Sequence, residues 1–259
     1  MTDVRVAQDG RTTVITLNRP QARNALTKAV LGRVTSALDE AAGDPSIRCV
    51  VLTGAGGHFC AGADLRRTLA EDPDFFDNLE SYMDAFHAVI RSIVRCPKPV
   101  IAALDGAAVG FGADMALACD LRVATTEAYV QEKFVDIGLM PDGGGTFWLP
   151  RLVGTARALK AMLLSDKLGA KELDALGVLV ACVAPDQLMT ATMELARRLE
   201  KGPPLAYAAL KDSVYAALGD LKAALRRERE GQLRLLRSQD VIEGVAAWTQ
   251  KRPPEFKGA

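Results

Sequence analysis

An excess of either charge is missing: Lys and Arg number 32, and so do Asp and Glu. That balance gives no general attraction to nucleic acid or to an anionic membrane, so an anionic ligand has to be met by local groups. No apolar run approaches the length of a bilayer span, and the opening MTDVRVAQDG lacks the basic-then-apolar pattern of a secretion signal. The expectation is a soluble, cytoplasmic protein with no membrane partner. No CxxC pair occurs. The five cysteines (Cys49, Cys60, Cys96, Cys119, Cys182) are odd in number and scattered, and read as small buried hydrophobes in a reducing compartment. The two histidines, His58 and His87, have no metal-ligand spacing, so no metal is expected. Neither a GxSxG elbow nor a GxxxxGK[ST] loop is present, which removes the hydrolase nucleophile and the P-loop.

What is present is enough apolar chain for a large core, 49% of 259 residues. Val4 to Ala7 and Thr12 to Leu17 alternate around Gln8-Asp9-Gly10-Arg11, which predicts a hairpin. Val30, Leu31, Val34, Ala37, Leu38 and Ala41 have helical spacing, with Thr27 as N-cap and Asp44-Pro45 as the stop. Arg48 to Thr53 is a continuous apolar strand of the kind buried on both faces. Leu65 to Asp77 reads as a polar loop and Leu79 to Val94 as a helix, after which Pro97 and Pro99 bound another strand. Strand, loop, helix, strand points to an α/β fold with parallel strands. A weak repeat supports it: VVLTG, a glycine loop and GADL (Val50 to Leu65) are echoed by VIAALDG, a loop and GADM (Val100 to Met115). Leu121 to Thr125 and Val178 to Ala184 read as further strands, with a helix from Thr155 to Leu164 between them. From Gln187 onward the periodicity is helical throughout, with no Ser- or Pro-rich linker, so a core of residues 1-195 followed by a packed helical region of 196-259 is expected.

Candidate chemistry gathers in Lys98 to Thr146. The loops Gly56 to Ala63 and Gly106 to Gly112 carry little side-chain bulk, so a ligand can approach the backbone. If each ends at a helix N-terminus, amides near Ala63 and Phe111 point into one space as an oxyanion hole; the alternative is ordinary strand-to-helix turns. Asp114 is the sole charge in Val109 to Cys119. It is either a desolvated, cavity-lining carboxylate or a first-turn acid paired with an Arg elsewhere. Asp142, between Leu-Met-Pro and three glycines, is either a capping or turn aspartate or a general base with a raised pKa. Arg226, Arg227, Arg229, Arg234 and Arg237 interleave with Glu228 and Glu230 and read as a solvated or subunit-facing surface.

RPQARNAL (Arg19 to Leu26), TGAGGHFCAGADL (Thr53 to Leu65), KPVIAALDGAAVGFGADMALACDLRVA (Lys98 to Ala124), IGLMPDGGGTFWLPRLVG (Ile137 to Gly154) and KRPPEFKG (Lys251 to Gly258) together resemble the enoyl-CoA hydratase/isomerase (crotonase) superfamily. The resemblance implies a crotonase-like spiral core of repeated ββα units and a C-terminal helical trimerisation region, as a homotrimer or dimer of trimers. It implies an acyl-CoA thioester substrate, with no cofactor beyond the coenzyme A of that substrate. It places the Ala63 and Phe111 amides on the enolate oxygen, and sets Arg23, Ala25, Ala61, Asp64 and Leu65 beside the CoA nucleotide. Hydratases of the family carry a pair of glutamates; here those positions hold Asp114 and Phe134. LMPDGGGT instead is similar to family isomerases, whose acid or base follows the proline. The resemblance therefore implies a 3-enoyl-CoA to 2-enoyl-CoA isomerase with Asp142 as principal and Asp114 as auxiliary. A hydratase working through Asp114 and a non-catalytic acyl-CoA-binding protein are the alternatives. Phe75 and Phe76, with Phe134, Phe147 and Trp148, are candidates to shape the acyl pocket.

Overall fold

Two mostly parallel sheets, each with one antiparallel pair, are wound by one repeated turn of chain in the computed structural model, which describes residues 2–75 and 77–255. Phe76 and the end of the KRPPEFKG segment lie outside the described residues. The chain begins with the expected hairpin, β1 (Val4–Asp9) against β2 (Thr12–Leu17), antiparallel from Val4↔Leu17 to Asp9↔Thr12. Helix α1 (Lys28–Gly43) follows, with the Thr27 side chain accepting from the Val30 amide as its N-cap. Strand β3 (Cys49–Gly54) pairs parallel with β2, and all but its last residue are buried.

The region read as a polar loop is in part a helix, α2 (Leu65–Glu71). Asp64 caps it by accepting from the Arg67 amide, and Arg67 pairs with Glu71 at 2.7 Å one turn on. A capped, ion-paired helix without an apolar stripe gives no hydrophobic periodicity to detect. Helix α3 (Leu79–Arg95) then leads to β4 (Val100–Leu104), β5 (Ala107–Val109) and α4 (Phe111–Ala118). The same order recurs as β6 (Leu121–Thr125), β7 (Tyr129–Gln131) and α5 (Gly145–Val153). Next come α6 (Thr155–Leu164), β8 (Leu168–Gly169), α7 (Ala170–Ala175) and β9 (Ala181–Val183), the last shorter than the strand expected there.

The large sheet has the order β1-β2-β3-β4-β6-β9 and the small one β5-β7-β8. Each unit thus places one strand in the large sheet and one in the small sheet before its helix. In the first unit the small-sheet strand shrinks to a bridge between Cys60 and Ala108. Alternation along the buried strands feeds both faces: Val50, Leu52, Val100 and Ala102 join the main core, whereas Val51, Ile101, Ala103 and Val123 pack with Leu188 and Ala196. Those two belong to α8 (Leu188–Glu200), which covers the second face. Three helices complete the chain, α9 (Pro204–Ala217), α10 (Leu221–Leu235) and α11 (Gln239–Gln250).

Asn24 ties the first loops together. It is fully buried with φ +59°, accepts from the Arg19 amide at 2.9 Å and donates to the carbonyls of Ala55 and His58 at 2.8 and 2.7 Å. Asn24→Ala strands buried polar groups and puts a Cβ-branched-free but still L-chiral residue in left-handed backbone, a combined cost of about 3 kcal/mol. Urea denaturation should show the midpoint falling with an unchanged slope.

Candidate active site

The three repeated units end alike, and their ends meet. Ala63 stands between the Cys60 bridge and α2, Phe111 follows β5 and opens α4, and Asp142 follows β7 and precedes α5. All three line one cavity of about 740 Å³. The Ala63 and Phe111 amides donate no hydrogen bond to the rest of the described chain, and Phe111 as first residue of α4 has no acceptor within its helix. Gly62 permits the approach of the two loops. Its φ is +88°, and a Cβ there would lie 2.8 Å from the Val109 carbonyl oxygen and 3.5 Å from the Phe111 nitrogen. Much of the wall is apolar, with Tyr82, Met83, Phe86, Phe134 and Leu139 lining it and the Phe86 and Phe111 rings 4.5 Å apart, while the charged lining residues Lys28, Lys133, Asp136 and Arg252 are exposed.

Asp142 is the one buried carboxyl among the described lining residues. Burial pushes its pKa up to about 7, against the lowering effect of a hydrogen bond from Gln232. That bond runs from Gln232 Nε2 to Asp142 Oδ2 at 2.9 Å, and Oδ1 has no partner. The Asp142 side chain caps no helix. The α5 N-terminus is held instead by Glu228, which accepts from the Gly144 and Thr146 amides at 2.7 and 3.0 Å and from the Thr146 hydroxyl. His87 lies 3.0 Å from the Asp142 carbonyl oxygen through Nε2; since a carbonyl only accepts, that nitrogen carries the proton. Burial holds His87 neutral by lowering its pKa to about 4.

Asp114 is fully buried, like the rest of α4, but does not line the cavity. Its Oδ2 accepts from the Gly143 amide at 2.9 Å, and no Arg pairs with it; its neighbour is another acid, Glu132. A Cβ on Gly145 would lie 2.4 Å from Asp114 Oδ1 and 2.9 Å from Glu132 Oε1, so only glycine fits between them and the chain. Burial comes first for both carboxyls, followed by repulsion from Glu132 for Asp114 and from Glu228 and Asp142 for Glu132, and raises each well above its ordinary range. As two carboxylates these oxygens have no donor. One shared proton supplies it, and the Asp114–Glu132 hydrogen bond then lowers the cost for Glu132.

Among residues expected near the CoA nucleotide, Ala61 and Leu65 line the cavity, and Arg23, Ala25 and Asp64 lie in the adjoining loops without lining it. Arg23 is exposed, its carbonyl held by the Ala61 amide at 3.0 Å. The Asp64 carboxylate is engaged by buried Arg19 at 2.7 Å and by the α2 cap. Of the aromatic candidates on the cavity's far side, Phe134 lines it, whereas Phe147 and Trp148 do not. Those two stack edge-on at 4.7 Å, with Tyr215 beside Trp148, because the α5 periodicity turns them into the core. Phe75 lines the cavity too.

Four groups were not anticipated: Glu132, His87, Glu228 and Gln232. Glu228 is the correction to a solvated basic run, being 1% exposed with Arg226 and Arg227 outside. The signal was positional, since Glu228 and Gln232 continue the buried stripe of Ala224 and Leu225 at helical spacing.

These features define the class: a crotonase-type α/β spiral wound around a largely apolar cavity, lined by two residues with unbonded amides and by one buried acid. The family model described as enoyl-CoA hydratase/isomerase matches residues 8–259. A probable enoyl-CoA hydratase of Rhodobacter capsulatus is 42% identical over 95% of this chain and 94% of its own. The 1,2-epoxyphenylacetyl-CoA isomerase of Escherichia coli is 35% identical over 94% of each chain. The crystal structure of an enoyl-CoA hydratase from Mycobacterium avium subsp. paratuberculosis superposes with a TM-score of 0.89 at 34% identity, covering 99% of both chains. The chain belongs to the enoyl-CoA hydratase/isomerase family of acyl-CoA enzymes.

The acid pair has a measurable pH signature. A carboxyl whose folded pKa lies above its unfolded value contributes stability at low pH that is lost as pH rises through the folded pKa. Glu132→Gln removes that loss and keeps a donor for Asp114. Thermal denaturation should therefore show the variant gaining on the wild type as pH rises from 5 to 8, by roughly 2–4 °C per kcal/mol relieved.

Proposed function

We propose that the protein shifts a double bond in an acyl-CoA thioester, from 3-enoyl-CoA to 2-enoyl-CoA, through an enolate. The observation that carries this reading is the single buried carboxyl, Asp142, in the described lining of a largely apolar cavity whose other charged residues are exposed, its pKa raised to about 7. A group with that pKa is ionised often enough at neutral pH to take a proton and acidic enough to return it. Asp142 removes the C2 proton of the thioester. The electron pair moves toward the carbonyl oxygen, where the Ala63 and Phe111 amides hold the developing charge, an interaction typically worth about 3 kcal/mol per donor. The same carboxyl then returns the proton at C4, so one acid suffices for the cycle.

Water addition asks for more, a group to activate water and one to protonate C2. Asp114 and Glu132 do not line the cavity, and Phe134 does, which favours proton transfer over hydration although relatives of both names exist. Tyr82, Met83, Phe86, Phe134 and Leu139 suit a hydrophobic acyl group. Arg23, Ala25, Ala61, Asp64 and Leu65 border the CoA end in this reading, and three or six copies of the chain assemble through its C-terminal helices.

Asp142→Asn should lower isomerisation of a 3-enoyl-CoA, followed by the absorbance of the conjugated thioester, by three orders of magnitude or so. Deuterium exchange at the α-carbon should fall with it, while binding of the acyl-CoA persists. A near-wild-type rate in this variant, or faster hydration of crotonyl-CoA than isomerisation by the wild type, overturns the reading. Tight acyl-CoA binding with no exchange by the wild type would mark a non-catalytic binder.

A further inference from the structure

The orientation of the Asp142 carboxyl is decided by a residue 90 positions away. Gln232, 1% exposed on α10, bridges two groups of the same loop: Oε1 accepts from the Met140 amide at 3.1 Å, and Nε2 donates to Asp142 Oδ2 at 2.9 Å. The two ends of the amide are not interchangeable here. A backbone N–H only donates, so the oxygen of Gln232 must face Met140 and the nitrogen must face Asp142. Oδ2 is thereby committed as an acceptor. When Asp142 is protonated, the proton belongs on Oδ1, which is itself buried and has no side-chain partner among the described residues.

We propose that Gln232 is the positioning residue of the site, holding the Asp142 carboxyl through Oδ2 in one orientation beside the cavity. The inference rests on Asp142 being the proton carrier. It assigns a role that no residue of the spiral core fills: the same loop is fixed from behind by Asp114 on the Gly143 amide and by Glu228 on those of Gly144 and Thr146, and His87 holds the Asp142 carbonyl. Those contacts fix the backbone. The neighbouring side chain that donates to the carboxyl itself is Gln232. Its donated bond also favours the ionised form, so the contact sets both the direction and the readiness of the base.

The test is the pH dependence of kcat/KM for a 3-enoyl-CoA in Gln232→Met, which keeps length and volume and loses the donor. Loss of the bond to the carboxylate should move the acid limb of the profile upward by about one pH unit, so that activity falls about tenfold on the limb and recovers in part at higher pH. KM and the melting temperature should change little. Gln232→Asn keeps the amide but cannot span both partners, and should move the limb in the same direction; it carries the test if the Met variant does not fold. An acid limb that stays in place in a folded variant, even with lower activity overall, overturns the proposal and leaves Gln232 a structural residue. Inactivity of Asp142→Asn together with an unmoved limb rejects this inference alone, whereas an active Asp142→Asn rejects the base assignment on which it stands.

Discussion

Val51 pairs with Ile101, and Ala102 with Arg122, in one parallel ladder that holds three successive turns of the chain in phase. Slipping any of these strands by one residue would exchange its two faces. Both faces are committed: Val50 and Leu52 lie in the main core, while Val51, Ile101 and Ala103 lie beneath α8. The register is therefore pinned from two sides. Because each turn then repeats at the same height, the segments that follow its inner strand converge, and Ala63, Phe111 and Asp142 reach one cavity from three different turns.

That convergence concentrates negative charge. Asp114, Glu132, Asp142 and Glu228 are all buried where these loops and helices meet, and among the described residues none of them has an ion pair with a cation. Neutral donors do the compensating: amides of Gly143, Gly144 and Thr146, the Thr146 hydroxyl and the Gln232 side chain. A nearby Arg or Lys would stabilise the loop as well, but it would also draw the Asp142 pKa down toward that of a solvated acid. Neutral hydrogen bonds hold the loop and leave the carboxyl at about 7. The remaining two acids have a single amide donor between them, and burial raises both well above the usual carboxylate range.

The hairpin, α1, β3, α3 and β4 were legible in the sequence because periodicity and punctuation coincide there. Thr27 caps, Asp44 stops, and the strands are apolar from end to end. The glycine loops were legible too, since GAGGHFCAGADL and DGAAVGFGAD lack the bulk that would keep a ligand away. The second sheet was not. Its strands β5, β7 and β8 have three, three and two residues, too few to alternate. Helix α2 escaped for the opposite reason, being stabilised by a cap and an ion pair and not by an apolar face. Glu228 was misread because charge was weighed by its sequence neighbours, Arg227 and Arg229, when the helical neighbours Ala224 and Leu225 decide which side faces inward.

The last helices complete the site from outside the spiral. Glu228 and Gln232 come from α10, Trp248 from α11 lines the cavity, and Val241 of α11 packs with Phe134 and Leu139. A loop-closure cost separates these helices from their targets, since Gln232 meets Met140 across 92 positions of sequence. The ladder of β3, β4 and β6 closes shorter loops and gains burial on both faces as it forms. The docking of α10 rests on the stripe of Ala224 and Leu225, on Leu233 and Leu235 against the helices and loops around the cavity, on the Arg229 ion pairs with Glu80 and Asp84, and on the hydrogen bonds of Glu228 and Gln232. Burial raises the Asp142 pKa to about 7, and the α10 contacts act on it in opposite senses, the Gln232 bond lowering it and the Glu228 charge raising it. The chemical character of Asp142 is thus set by the spiral and the C-terminal helices together.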